Sequence, residues 1–226
     1  AWERLARKLA HEIKNPLTPI QLTIDRLRNK FSEVLSSEQK TNFTDSLKII
    51  DKQIKQIENL VNEFSDFARM PKPILKNNNL VNIIDDNLKL LKTLDENIEI
   101  DLISKKKEIF YRSDNEQLSR VFFNLIKNAI ESVQEKCLEI TNTKGKISIE
   151  INDYDDYIEF TINDNGKGFK NLENIKKILN PYFTTKKKGT GLGLAIVNKI
   201  INDHNGSIKF ANLKDGAKVT VEFLKV

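Results

Sequence analysis

Between Phe43 and Ala68 an apolar residue recurs at alternating steps of four and three without a break: Phe43, Leu47, Ile50, Ile54, Ile57, Val61, Phe64 and Ala68. A stripe with that spacing is a heptad seam, and a helix bearing one must lay it against another helix. The candidate partner lies just upstream, where Trp2, Leu5, Leu9, Ile13, Leu17, Ile20, Ile24, Leu27 and Phe31 recur at steps of three and four. Ser36 followed by Gln39 suits a capping box that opens the second helix, and Pro71 and Pro73 end it. The short connection makes the pair an antiparallel hairpin. Two helices alone bury little, so a stripe this long calls for a further partner, most simply a second copy that completes a four-helix bundle.

After the MPKP step at 70–73 the pattern changes. Strand-like runs occur at 98–103, 108–113, 145–153, 157–165, 207–212 and 217–224, with helical stretches near 80–94, 115–136 and 191–203. Hairpin-like pairs at 145–165 and 206–224 predict an α+β sandwich, one mixed sheet with helices on one face. The change of pattern near residues 70–76 divides the chain into 1–70, a linker at 71–75, and 76–226.

Bulk properties narrow the field. The net charge of +5 admits an anionic partner, but acids and bases alternate along most of the chain, and no zinc-finger or RNP pattern accompanies the charge. Nucleic-acid binding is therefore not expected. The single cysteine, Cys137, excludes an intrachain disulfide and fits a reducing compartment. No apolar run approaches the ~20 residues of a membrane span, and AWERLARKLA is not a signal peptide. The chain begins inside a periodic pattern, as a fragment of something longer would.

The stretch AHEIKNPLTP, residues 10–19, adds chemistry to the first helix. Its His-Glu step shares two residues with the zinc-protease pattern H-E-x-x-H. One turn after His11, however, stands Asn15, a poor zinc ligand, and the only other histidine is His204. At ~100° per residue the apolar stripe centres near Leu9 and Ile13, with His11 roughly opposite and Asn15 about 40° from it. Pro16 and Pro19 cannot donate to the carbonyls of Glu12 and Asn15, at ~3 kcal/mol or more each. They predict a bend one turn beyond the histidine. A bend that merely helps the bundle wrap is the plainer reading. An exposed imidazole, an adjacent carboxylate and a kink together point to chemistry on the imidazole.

Three polar clusters mark the second half. In KKKGTGLGLAIV (186–197), Gly189, Gly191 and Gly193 run into an apolar helix, where backbone N–H groups and the helix dipole favour phosphate. The Walker A pattern fails for want of a Lys-Ser/Thr, and the G-x-G-x-G spacing after NPYFTTKKK fails the Rossmann fingerprint. In TINDNGKGF (161–169), Asp164 ends a strand, and Gly166 and Gly168 release the backbone into a turn. A buried carboxylate there could accept from an exocyclic amine such as that of adenine; a plain D-N-G turn is the alternative. In FFNLIKNAIESV (122–133), Asn124 and Asn128 share a helix face, and an amide oxygen suits Mg²⁺. His204, where a helix ends at Asn205-Gly206, reads as structural.

In this order the pieces resemble a bacterial sensor histidine kinase, over essentially all 226 residues. HEIKNP matches the phosphoacceptor box, NLIKNA the N box, DNGKG the G1 box, Phe183 and Thr185 in NPYFTTK the F box, and GTGLGL, with Leu192, the G2 box. HEIKNPLTPIQL with PYFTTKKKGTGLGL is similar to the nitrogen-regulation branch.

The resemblance implies that 1–70 is a dimerisation and phosphotransfer domain and 76–226 a Bergerat-type ATP-binding α/β sandwich. It implies that His11 accepts the γ-phosphoryl group of ATP, with Glu12 as base or orienting partner. Asn15 takes the position that orients water for dephosphorylating a partner. Asn128 would hold Mg²⁺, Asn124 would line the phosphate pocket, and Asp164 would bind the adenine amino group. Gly166 and Gly168 would shape the adenine end, while Gly189, Gly191 and Gly193 let a lid approach the phosphates. Lys186, with Lys187 and Lys188, would add positive charge. The implied partners are a second copy of the chain and a response regulator. The implied location is the cytoplasm, with sensory and membrane-anchoring segments upstream.

The residues agree with that chemistry. A neutral imidazole has a free nitrogen to attack with, and phosphoryl transfer otherwise needs positioning and charge neutralisation. The Pro16 bend would then help bring the ATP domain and His11 together. Two other functions share parts of the pattern. A clamp ATPase of the gyrase and chaperone type would use the pocket without His11 or Glu12, and a dimerising adaptor would use nucleotide only as a switch.

Overall fold

A computed structural model describes residues 2–31, 35–95, 97–140, 144–169, 175–181, 183–184 and 190–225. The chain divides into two compact units, Ala1–Pro71 and Lys72–Val226.

The first unit is a helical hairpin of α1 (Trp2–Phe31) and α2 (Ser37–Arg69). Ser36 caps α2: its N–H donates to Oε1 of Gln39 at 3.4 Å and its hydroxyl donates to the same oxygen at 3.1 Å. The helices run antiparallel, with Gln21 donating to Glu58 at 3.2 Å, Arg28 paired with Asp51, and Phe31 edge-on to Phe43 at 5.8 Å. Ala10, Leu17 and Ile24 of α1 are buried, as are Leu47, Ile54, Val61 and Ala68 of α2. These rows repeat every seven residues, so each helix turns the same edge of its stripe inward.

The stripe on α1 thus splits into two rows. The expected centre, Leu9 and Ile13, stays exposed along with Ile20 and Leu27, and on α2 Ile50 and Ile57 match them. One hairpin partner covers one row, and the second row remains an open apolar face. Pro16 and Pro19 lie inside α1, which runs through both as a single helix.

The second unit is a two-layer α/β sandwich. Its sheet has the order β2-β4-β5-β7-β6, from β2 (Ile98–Ser104), β4 (Gly145–Asp153), β5 (Tyr157–Asp164), β6 (Gly206–Asn212) and β7 (Ala217–Leu224). β2 and β4 pair in parallel and the rest are antiparallel, so the sheet is mixed as expected. Three helices cover one face: α3 (Leu80–Leu91), α4 (Asn115–Glu139) and α6 (Gly193–Asp203). Alternation on the strands selects that face, burying Ile147, Ile149 and Ile151 on β4 and Ile158, Phe160 and Ile162 on β5. Phe122 of α4 meets Phe160 with ring centres 4.7 Å apart.

Two pieces depart from expectation. The run 108–113 forms only β3 (Phe110–Ser113), and it pairs outside the main sheet with β1 (Lys76–Asn79). The KNNN sequence of β1 has no strand signature; it is held by register with β3 and by Asn79, whose side chain accepts from Val81 N–H to cap α3. A short helix, α5 (Ile175–Ile178), lies where no helix was expected. Among the described residues no helix is long and apolar enough to cross a membrane.

Candidate active site

In the first unit, His11, Glu12 and Asn15 are all exposed, while Ala10 and Leu17 beside them are buried. His11 faces solvent as the helical wheel expected, although the buried row beside it is Ala10 and Leu17 and not the expected centre at Leu9 and Ile13. Glu12 lies 3.8 Å from the Lys8 ammonium one turn earlier. Between such exposed groups that contact contributes little to stability, and it leaves the carboxylate next to the histidine accessible.

In the second unit, α4 organises the polar groups. Arg120, Asn124, Asn128 and Ser132 recur every four residues and are half-buried, one row beside the apolar face that seats on the sheet. Asn124 Nδ2 donates to Arg120 O at 2.8 Å, which turns its Oδ1 away from that carbonyl. A Cβ placed on Gly193 would lie 3.3 Å from that Oδ1, so the start of α6 comes directly over Asn124. At the other end of the row, Ser132 Oγ accepts from Lys167 N–H at 3.1 Å. The row thus runs from the Asp164–Gly168 turn to the α6 N-terminus, and Asn128 stands between them.

Asp164 ends β5 and is 6% exposed. Its Oδ1 accepts from Gly166 N–H at 2.8 Å. Burial pushes its carboxyl above the ordinary value; the Gly166 and Ala217 N–H groups and the Lys136 charge oppose the rise, and Asp215 adds to it. Gly166 is required for a different reason than expected. Its φ is not positive, but a Cβ there would lie 2.2 Å from Ser132 Oγ and 2.7 Å from the Ser132 carbonyl carbon, so the backbone presses directly on α4.

Gly168 does take a positive φ, 68°, and Asn212 clamps the residue after it, accepting from Phe169 N–H at 2.7 Å and donating to Phe169 O at 2.8 Å. Asn165 secures the other side through Lys146 N–H and Lys144 O, both at 2.8 Å.

Gly191 has φ 71°, Leu192 is buried, and Gly193 opens α6. Leu192, at the N-cap, makes no side-chain capping bond to the first turn of α6 among the described residues. Phe183 is half-buried, with its N–H on Asn180 O at 3.3 Å. Thr185, Lys186, Lys187, Lys188 and Gly189 lie outside the described residues.

Among the described residues no group of three or more His, Cys, Asp or Glu side chains gathers as a metal site. Asn128, half-buried on α4 between Asn124 and Ser132, brings the one further amide side chain to that row. His204 is structural in the way its place suggested. It is buried, Nδ1 lies 2.8 Å from Ile200 O, and Nε2 accepts from Asp114 N–H at 3.0 Å, which puts the ring proton on Nδ1.

Sequence reading missed Gly216, Lys136 and Asn212. Gly216 takes φ 98°, and a Cβ there would fall 1.8 Å from Asp164 O. The K-D-G turn signal at 214–216 marked a turn but could not say against what it packs.

The family model for the His Kinase A (phospho-acceptor) domain matches residues 1–73, and that for the histidine kinase-, DNA gyrase B- and HSP90-like ATPase matches 113–226. The chain belongs to the sensor histidine kinases. Within them it is similar to an NtrY-like sensor histidine kinase of Rickettsia prowazekii (strain Madrid E), 39% identical over 99% of this chain and 36% of that one. The nitrogen regulation protein NtrY of Azorhizobium caulinodans is 36% identical over 96% of this chain and 28% of that one. The chain therefore spans about a third of the length of these relatives. The catalytic domain of histidine kinase ThkA superposes with a TM-score of 0.59 at 29% identity, covering 67% of this chain and 95% of that domain.

Proposed function

We propose that this chain is the catalytic core of a two-component sensor. ATP bound at the α4–α6 pocket phosphorylates His11, and the phosphoryl group then passes to an aspartate on a response regulator of the NtrX type. The exposed His11–Glu12 pair, on a chain that also carries an ATPase domain, is the observation that carries this reading.

A neutral ring nitrogen of His11 attacks the γ-phosphorus, the bond to the β,γ-bridging oxygen breaks, and ADP leaves. The proton on the other ring nitrogen passes to Glu12 as the phosphoimidazole forms. Asp164 accepts from the adenine amino group, Gly166 and Gly168 shape the cavity around the base, and Phe183 flanks it. Asn124, the α6 N-terminus and Thr185 with Lys186 to Gly189 receive the phosphates. Asn128 would be the residue that holds Mg²⁺, which when bound would supply charge neutralisation at the phosphates. Asn15, one turn from His11, orients water for removing the phosphoryl group from the regulator. The open apolar face of the hairpin is covered by a second copy, giving a homodimer. The segment works in the cytoplasm, and upstream segments of the full protein anchor it in the inner membrane.

Incubation with γ-labelled ATP and Mg²⁺ tests the central step. The expected label is acid-labile, base-stable and absent from His11→Gln. ATP turnover without protein-bound label, unchanged in His11→Gln, would instead identify a clamp ATPase.

A further inference from the structure

Behind Asp164 stands a charged pair that lies outside all five sequence motifs. Lys136, on α4 about two turns past Asn128, has only 15% of its side chain exposed. Its ammonium donates to Asn165 O at 2.8 Å and is ion-paired with Asp215. Asp215 sits in the tight turn between β6 and β7, next to Gly216, whose α-carbon presses on the Asp164 carbonyl. One ammonium thus joins the asparagine helix, the residue after Asp164 and the turn that packs on Asp164. The residues paired with Asp164 on β4 and β7 are Ile147 and Ala217, both apolar. Lys167, in the same turn, is engaged by Glu135 and Glu139. The charges bearing on the carboxylate are therefore those of Lys136, from α4, and Asp215, from the β6–β7 turn.

We propose that Lys136 and Asp215 are positioning residues for the adenine end of the pocket: the pair clamps the β6–β7 turn onto the Asp164 turn, and its opposite charges set the field at the carboxylate that receives the adenine amino group. This rests on the reading of Asp164 given above. The two charges do not act alike. Lys136 favours the ionised, accepting form of Asp164, and Asp215 disfavours it. Breaking the pair from either side removes the same clamp but changes the field in opposite senses.

Calorimetric titration of the chain with MgADP, from about pH 8 to about pH 5, separates clamp from field. The nucleotide's own titration is common to all variants and drops out of the comparison. Lys136→Met is expected to weaken binding roughly three- to tenfold near neutrality and to move the acidic loss of affinity to higher pH. Asp215→Asn is expected to move that loss to lower pH, and Lys136→Arg to restore the parent profile. Lys136→Gln, which keeps a donor for the Asn165 carbonyl, replaces the Met variant if that chain does not fold. A profile unmoved in either variant, or moved the same way in both, overturns the proposal. Asp164→Asn is the control on the underlying reading. If it binds MgADP as the parent does, the adenine assignment fails; if it loses binding while the pair variants leave the profile unmoved, only the present inference falls.

Discussion

Asp164 is asked to be buried and charged at once, and the two demands pull apart. Burial raises its carboxyl above the value it has in the unfolded chain, and the hydrogen bonds from Gly166 and Ala217 only partly oppose this. A carboxyl raised on folding adds to stability while protonated, and that contribution is lost as pH rises through its folded value. Above its folded value the ionised group therefore costs the nucleotide-free fold stability that a neutral isostere would not. Asp164→Asn should raise the stability of the nucleotide-free chain, by on the order of 1 kcal/mol, while abolishing the thermal shift given by MgADP. A variant that is less stable and still shifted by nucleotide would sink this reading. From its own residues Asp164 read as no more than a D-N-G turn at a strand end, and its assignment to a pocket came from the resemblance carried by DNGKG. Lys136 and Gly216 were not legible, since their importance lies in contacts across 29 and 52 positions of chain, which no local spacing encodes.

Among the elements, the hairpin was the most legible and the β1–β3 pair the least. A seven-residue repeat reports directly on which edge of a helix is buried, whereas KNNN becomes a strand only because Phe110–Ser113 lies alongside. What the repeat could not divide was its own two rows, since periodicity shows that both are apolar and not which neighbour each one meets. In the hairpin Ile50 and Ile57 remain 43% and 42% exposed, although they belong to the same seam as buried Leu47 and Ile54. A charged residue on that outer row leaves the hairpin's own core intact. Ile50→Asp with Ile57→Asp should therefore give a helical but monomeric chain by sedimentation, losing roughly 1.5–3 kcal/mol of apolar burial per side chain at each copy. Retention of the dimer would mean that a different surface joins the copies.

For the molecule as a whole, two units each with a core of its own imply that different ligands act on different parts of the unfolding curve. The core of 1–71 is a row of aliphatic seams, and that of 72–226 is the packed face of a sheet. MgADP binds only the second under the function proposed here. At about a hundredfold excess over its dissociation constant it should add ~2.7 kcal/mol to that unit alone. Association of copies through the first unit makes its stability depend on chain concentration instead, by the same mass action. Scanning calorimetry at two protein concentrations, with and without MgADP, should thus show two transitions, one moved only by nucleotide and the other only by concentration. The Ile50→Asp, Ile57→Asp chain should abolish the concentration dependence and leave the nucleotide shift in place. If nucleotide moved both transitions equally, the cores would be unfolding as one, and binding energy at Asp164 would reach the helix that carries His11 even in the resting chain.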